Sequence, residues 1–273
     1  MSGFSAEWLA LREPYDRTAR NGAVLDVAAA AFADAAAVMV TDLGSGTGAT
    51  MRAIAPRLPA RQNWRLVDND KALLEKAIEG AVALPGGVDV TAVTADLAAG
   101  VARAIEPLLG DCDLVTTSAL LDLVSADWLD IVVVLLARLS RPFYAALSYD
   151  GAVVLSPATR YDSDMIEAVN RHQRTDKGFG PAMGPDAARI APERLRAAGF
   201  TVIEGRSDWL FGADDRAIQM AMLAGWAGAA HEIGVDGTII ARWLGERRDH
   251  IHAGRSEMRV GHIDFFATPT GRR

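Results

Sequence analysis

The chain has 273 residues, half of them hydrophobic, with 28 basic and 35 acidic side chains and a formal net charge of -7. That balance argues against a broad phosphate-binding face, which shows as a basic excess, and so against a nucleic-acid partner. The one cysteine, Cys112, excludes a disulfide framework and a cysteine-rich zinc site, and it suits a reducing, cytoplasmic setting.

The first segment, "MSGFSAEWLALREP", carries Glu7, Arg12 and Glu13 among its apolar residues, which is wrong for a secretory leader. Residues 4 to 37 read as helical: alanine is the strongest helix former, and Val24, Val27, Ala31 and Ala35 fall near one face. Pro14 is expected to divide a short first helix from a longer second one. Asp26 and Asp34 interrupt the alanine-rich run, and a membrane span needs about 20 strongly apolar residues, so neither a membrane helix nor a membrane partner is expected.

An alternation follows. Strands are expected at 38–43, 64–68, 88–96, 113–120 and 142–149, with helices at 49–57, 70–80, 98–109 and 127–140 between them. Such spacing predicts a doubly wound α/β fold with a mostly parallel sheet, and short apolar strands suit burial on both faces. The pattern breaks over 156–190, a stretch rich in Gly, Pro and charge that reads as a lid. Regular elements resume with a helix at 192–198, a strand through "FTVIEGRSDWLF", helices at 214–230 and 236–251, and a last strand, "EMRVGHIDFFAT". With no internal repeat or linker, we expect one domain: a helical cap at 1–37, a core at 38–155, the lid at 156–190, and residues 191–273 completing the sheet.

The densest signal is "VTDLGSGTGAT", where Gly44, Gly46 and Gly48 follow a strand directly. A tight strand-to-helix turn needs positive φ, which glycine adopts at least cost, and bare backbone lets a ligand lie against the chain. "GSGTGA" also satisfies the dinucleotide fingerprint G-x-G-x-x-A, so an NAD(P)-dependent oxidoreductase is a rival reading. Three acids separate the two. Asp42 precedes the first glycine, Asp68 ends the second strand in "WRLVDND", and Asp96 ends the third in "TADLAA". A pyrophosphate does not need three carboxylates around it; a cationic cofactor with an amino group, a ribose and an adenine does.

On these residues the sequence resembles the class I S-adenosylmethionine-dependent methyltransferases, well over 38–155 and less specifically beyond. The resemblance implies a Rossmann-like, seven-stranded sheet with an antiparallel last strand, an N-terminal helical cap and an inserted lid after strand five. It places Asp42, Gly44, Ser45, Gly46 and Gly48 near the methionine part of S-adenosylmethionine, Asp68 and Asn69 at the ribose, and Asp96 and Leu97 at the adenine. "DLVTTSALLDLV" resembles the fourth-strand motif, with Thr117, Ser118 and Leu120 beside the transferred methyl.

The resemblance does not name a catalytic residue. Methyl transfer needs a base only where the acceptor must lose a proton. Candidates are Asp122, Tyr149 and His172, the last within a basic run (Arg171, His172, Arg174, Lys177) that reads either as a solvated helix end or as a rim for an anionic acceptor. Arg12, Tyr15, Arg17 and Arg20 are further acceptor contacts from the N-terminal helices. His262 and Asp264 share a strand face and read as a core pair or a pair reaching the cleft. His250 and His252 lie on different helix faces, so no metal is expected. The favoured reading is methyl transfer to a small, polar or anionic molecule. A non-catalytic cofactor-binding protein is another alternative, and an RNA methyltransferase is disfavoured by charge. "IQMAMLAGWAGAA" reads as core or as a dimer face, which leaves a homodimer open.

Overall fold

A computed structural model describes residues 4–84 and 86–271. Helix α1 (Ala6–Ala19) opens where Ser5 Oγ accepts the Trp8 amide at 3.2 Å, and α2 (Gly22–Ala30) opens where Asn21 Oδ1 accepts Val24 N at 3.1 Å. Pro14 lies inside α1 rather than dividing it, and the break falls at Arg20, whose ψ of 133° leaves the helical region. Tertiary contacts hold that break. Arg20 is buried, and the carboxylate of Asp264 accepts the Asn21 amide at 2.9 Å.

Five parallel strands follow: β1 (Val38–Leu43), β2 (Gln62–Asp68), β3 (Val88–Thr94), β4 (Leu114–Ser118) and β5 (Phe143–Ser156). Helices α3 (Ala49–Ile54), α4 (Lys71–Ala81), α5 (Val101–Leu109) and α6 (Ala126–Leu139) connect them. One sheet face packs Leu43, Val115, Ile105, Val132 and Phe143; the other packs Val40, Leu66, Met51, Leu74 and Tyr144. Helices therefore cover both faces, as the apolar strands predict. Each fully buried Leu, Val or Phe here contributes about 1.5–3 kcal/mol.

The far side of the sheet carries the expected antiparallel last strand. β8 (Glu257–Pro269) lies antiparallel between β5 and β6 (Phe200–Arg206), giving the order β3-β2-β1-β4-β5-β8-β6. The expected single strand over 200–211 is two. After β6 the chain kinks at Ser207 and Asp208, which bond the backbone of His262, and β7 (Trp209–Phe211) pairs with the first half of β8. The expected seven strands form the path of the sheet, and the short β7 is an eighth that pairs with β8 off that path. β5 runs on to Ser156 because β8 offers it a partner as far as Ser156↔Glu257. Its register slips after Ala145, where Leu147 takes a positive φ of 54° and donates its N–H to Asp264 at 2.8 Å.

The 156–190 stretch contains a regular helix, α7 (Asp162–Gln173), and α8 (Ala187–Ala197) begins before 190. The start of α7 is pinned to α10 (Gly237–His252): Trp243 Nε1 and Arg247 Nε each donate to Asp162 Oδ1 at 2.9 Å. α9 (Arg216–Glu232) packs on α7, and Ile218, Met222 and Leu223 belong to a third core with Tyr149, Trp209 and Met258. The buried side of "IQMAMLAGWAGAA" is therefore core. No described helix is long and apolar enough to cross a membrane, and no group of metal-ligating side chains occurs among the described residues.

Candidate functional site

The strand order reverses between β1 and β4, the place where open α/β sheets leave a crevice at their carboxyl ends. The glycine turn lies there. Gly44, Gly46 and Gly48 adopt φ of 67°, 52° and 80°. A side chain at Gly48 would stand 3.2 Å from the Ala77 Cβ, so this glycine also lets α3 and α4 approach each other. Gly44 packs against Leu120, which closes the crevice floor from the β4 side.

Asp68 ties the turn to the second strand. Its Oδ2 accepts Gly46 N at 2.8 Å and its Oδ1 accepts Asp70 N at 3.0 Å. Each carboxylate oxygen has a second lone pair, so both can still accept a ligand hydroxyl. Glu13 of α1 grips Arg52 of α3 through two 2.6 Å bonds, and Arg52 Nη1 holds the Thr47 carbonyl. The N-terminal helix is thereby docked across the glycine turn, with Leu9 beside Gly46.

Above this floor is a cleft of about 910 Å³. Of the residues expected to hold a cofactor, Gly44, Ser45, Gly46, Asp68, Asn69, Leu97, Ser118 and Leu120 line it. Four do not. Gly48 lies just behind, at the start of α3. Thr117 is buried and donates to the Leu43 carbonyl at 2.8 Å. Asp96 turns to accept Ala98 N at 2.8 Å, leaving Ala95 and Leu97 at the wall. Asp42 is fully buried beneath the turn, where Thr116 Oγ1 donates to it at 2.7 Å and its second oxygen has no partner. Burial pushes its carboxyl up to about 6, although the Thr116 bond and Arg20 act the other way.

Arg20, which interrupts the two N-terminal helices, reaches into the same layer. Its guanidinium donates to Tyr144 Oη at 3.3 Å, Ser118 Oγ at 3.3 Å and Thr50 Oγ1 at 3.4 Å. Ala119, directly after β4, holds a positive φ of 49° and lines the cleft; strained backbone of this kind gathers at functional sites.

The opposite wall comes from α1, the turn after β4, and the segment following α7. His172 lines the cleft, with Nε2 2.8 Å from Glu232 Oε2 at the end of α9. Asp122 is not among the lining residues; it is buried, its Oδ1 is unpartnered, and burial raises its carboxyl to about 6. Tyr149 is set behind the wall and donates to Asn170 Oδ1 at 2.8 Å. The basic run separates: Lys177 lines the cleft with His172, while Arg174 pairs with Asp186 and Arg171 is exposed. Tyr15 is engaged by Asp215 at 2.7 Å. His262 and Asp264 are both buried; Asp264 bonds Leu147, Asn21 and Tyr144. Sequence reasoning missed Asp16, Phe179 and Glu232 as lining residues. Asp16 had a readable signal, standing four residues after Arg12 on one helix face. Glu232 had none, since only the packing of α9 on α7 brings it in.

A doubly wound sheet with an antiparallel strand inserted next to its edge, and a glycine turn under a cleft at its switch point, is the architecture of the Rossmann-like class I methyltransferases. Solved structures share it. The cyclopropane synthase MmaA2 from Mycobacterium tuberculosis matches with a TM-score of 0.52 at 13% identity, over 97% of this chain and 94% of that one. The YcgJ protein from Bacillus subtilis matches with a TM-score of 0.52 at 17% identity, over 91% of this chain and 99% of that one. At such identities the likeness is one of fold. No protein-family description and no curated protein sequence matches the chain.

Proposed function

We propose that the protein is an enzyme that transfers a methyl group from S-adenosylmethionine to a small polar molecule. The observation that carries this reading is Asp68, a carboxylate at the end of the second strand that braces the glycine turn and keeps lone pairs facing the cleft. The residues present fit the cofactor. Asp68 and Asn69 would hold the ribose, Ala95 and Leu97 would flank the adenine, and the Gly44–Gly46 backbone would carry the methionine part. Ser45 Oγ, buried and unpartnered, is a free polar atom in that turn. Asp42, Gly48, Asp96 and Thr117 would act from behind, shaping the turn and strand ends rather than touching the ligand.

When bound, S-adenosylmethionine supplies an electrophilic methyl on a positively charged sulfur. The protein's part is to hold an acceptor in line with that methyl and to exclude water, and orientation of this kind is worth up to about 7–11 kcal/mol. Phe4, Leu9, Leu120 and Phe179 supply apolar walls. Asp122 is the proton acceptor for an acceptor that must lose one. His172, oriented by Glu232, borders the acceptor end, and Tyr149 positions the wall through Asn170.

Calorimetric titration of the purified chain with S-adenosylmethionine, S-adenosylhomocysteine and NAD⁺ tests the assignment. Micromolar binding of the two sulfur compounds without heat from NAD⁺ is expected. Heat from NAD⁺ alone would make the chain a dehydrogenase.

A further inference from the structure

Next to the wall facing the glycine turn is a buried carboxylate with one oxygen that no protein group meets. Asp122 is 7% exposed, stands in the chain between the cleft-lining Leu120 and Leu123 without lining the cleft itself, and has an Oδ1 without a hydrogen-bond partner. Three donor-bearing side chains from three elements lie close enough to be felt by it electrostatically: Arg12 of α1, Lys177 of the segment after α7, and Tyr149 of β5. Each is held elsewhere. Arg12 Nε donates to Asp16 Oδ2 at 2.8 Å, and its guanidinium lies 5.3 Å from the centre of the Trp209 ring. Lys177 Nζ donates to Thr175 Oγ1 at 2.9 Å and lies 3.3 Å from His172 Nδ1. The Tyr149 hydroxyl is taken by Asn170.

None of the three forms an ion pair or hydrogen bond with Asp122, although leaving a buried acceptor unmet costs about 1–3 kcal/mol, and more for a charge. A second buried group nearby is also unmet. His262 is 5% exposed, its Nδ1 has no partner, and its ring lies 4.7 Å from that of Trp209 and 5.9 Å from that of Tyr149. Arg12 and Lys177 thus both line the cleft, and the buried Asp122 lies within their electrostatic reach without pairing with either. Among the described residues Lys177 has no carboxylate partner, and Arg12 engages Asp16 through Nε alone.

Building on the cofactor reading above, we propose that the part of the cleft lined by Arg12 and Lys177 is the acceptor subsite and that it selects a small carboxylic acid whose methylated atom carries a proton. The acid's carboxylate sits on Arg12 and Lys177, which offer a planar fork and a point charge. Its O–H or N–H donates to Asp122, whose carboxylate lacks a donor at one oxygen. In the transfer, the acceptor's lone pair forms the bond to the methyl carbon while the carbon–sulfur bond breaks with its electrons staying on sulfur. The acceptor's proton passes to the Asp122 carboxylate. Burial prepares Asp122 for that proton, since it raises the carboxyl's affinity above that of a solvated aspartate.

The test uses the full chain loaded with S-adenosylhomocysteine. Glycine, 3-aminopropanoate, lactate, anthranilate and 4-hydroxybenzoate are each titrated beside the matching primary amide. At least one acid is expected to bind about tenfold or more tighter than its amide. Lys177→Met should erase that preference, whereas Asp122→Asn should keep it and slow methylation of the bound acid by about 100-fold. Amides binding as well as acids, or no acid binding the loaded protein, would overturn the subsite. Failure of S-adenosylhomocysteine itself to bind would instead sink the cofactor reading, and the subsite with it.

Discussion

Asp42 offers a sharp physical test, because its carboxyl is fully buried yet half satisfied. Burial raises it from an ordinary 3.8 to about 6. The folded protein therefore binds this proton more tightly than the unfolded chain does. The stabilising protonation is complete below pH 3.8 and is lost as pH rises through about 6. A shift of this size corresponds to about 3 kcal/mol, of which about 2 kcal/mol falls between pH 4 and pH 7.5. Asp42→Asn removes the titration. Its amide oxygen can keep the Thr116 bond, while its NH₂ group takes the unpartnered position at a cost of about 1 kcal/mol at every pH. The variant should therefore match or fall below the parent at pH 4 and exceed it at pH 7.5. Urea unfolding of both proteins at pH 4, 5, 6 and 7.5 gives the difference directly, and the titration of Asp122 in the same window cancels from it. A difference that stays flat across that range would refute the account of Asp42 as a buried charge that Thr116 and Arg20 compensate only in part.

Other outcomes are expected from the same geometry. Asp68→Ala removes the bonds to Gly46 and Asp70 as well as the ribose contact, and should weaken S-adenosylhomocysteine binding by about 1.5–3 kcal/mol, roughly 10- to 100-fold, by calorimetry. An unchanged affinity would remove Asp68 from the site. Arg20→Met strips Tyr144, Ser118 and Thr50 of a shared donor and Asp42 of a compensating charge. It should destabilise the fold by about 3 kcal/mol or more, measured by denaturant unfolding. Gly48→Ala places a methyl 3.2 Å from Ala77 at a φ of 80°, and should lower stability by about 1–3 kcal/mol in the same assay. Full stability in that variant would mean the turn relaxes where the packing says it has no room.

Much of the architecture was written locally. Most of the parallel strands begin as apolar runs bounded by turn residues, and each βα unit closes within its own stretch of chain, so β1 to α6 were legible with small boundary errors. The glycine turn and Asp68 were legible for the same reason, since residues adjacent in the chain build them. Features that depend on distant partners were not. Pro14 reads as a breaker, but α1 runs through it and ends at Arg20, where Asp264, more than two hundred residues away, takes the next amide. One expected strand became β6 and β7 because the backbone of His262 captures Ser207 and Asp208. Asp96 sits at the right place in the chain, yet its carboxylate turns back onto Ala98. Asp42 looked like a cofactor ligand and is instead sealed under the turn. The sequence by itself determined the strand–helix alternation, the glycine turn and the acid at the end of β2, because periodicity and φ preferences act over a few residues. Only the tertiary structure decided which polar groups are left unmet at Asp122 and His262, because burial and pairing are properties of elements brought together from opposite ends of the chain.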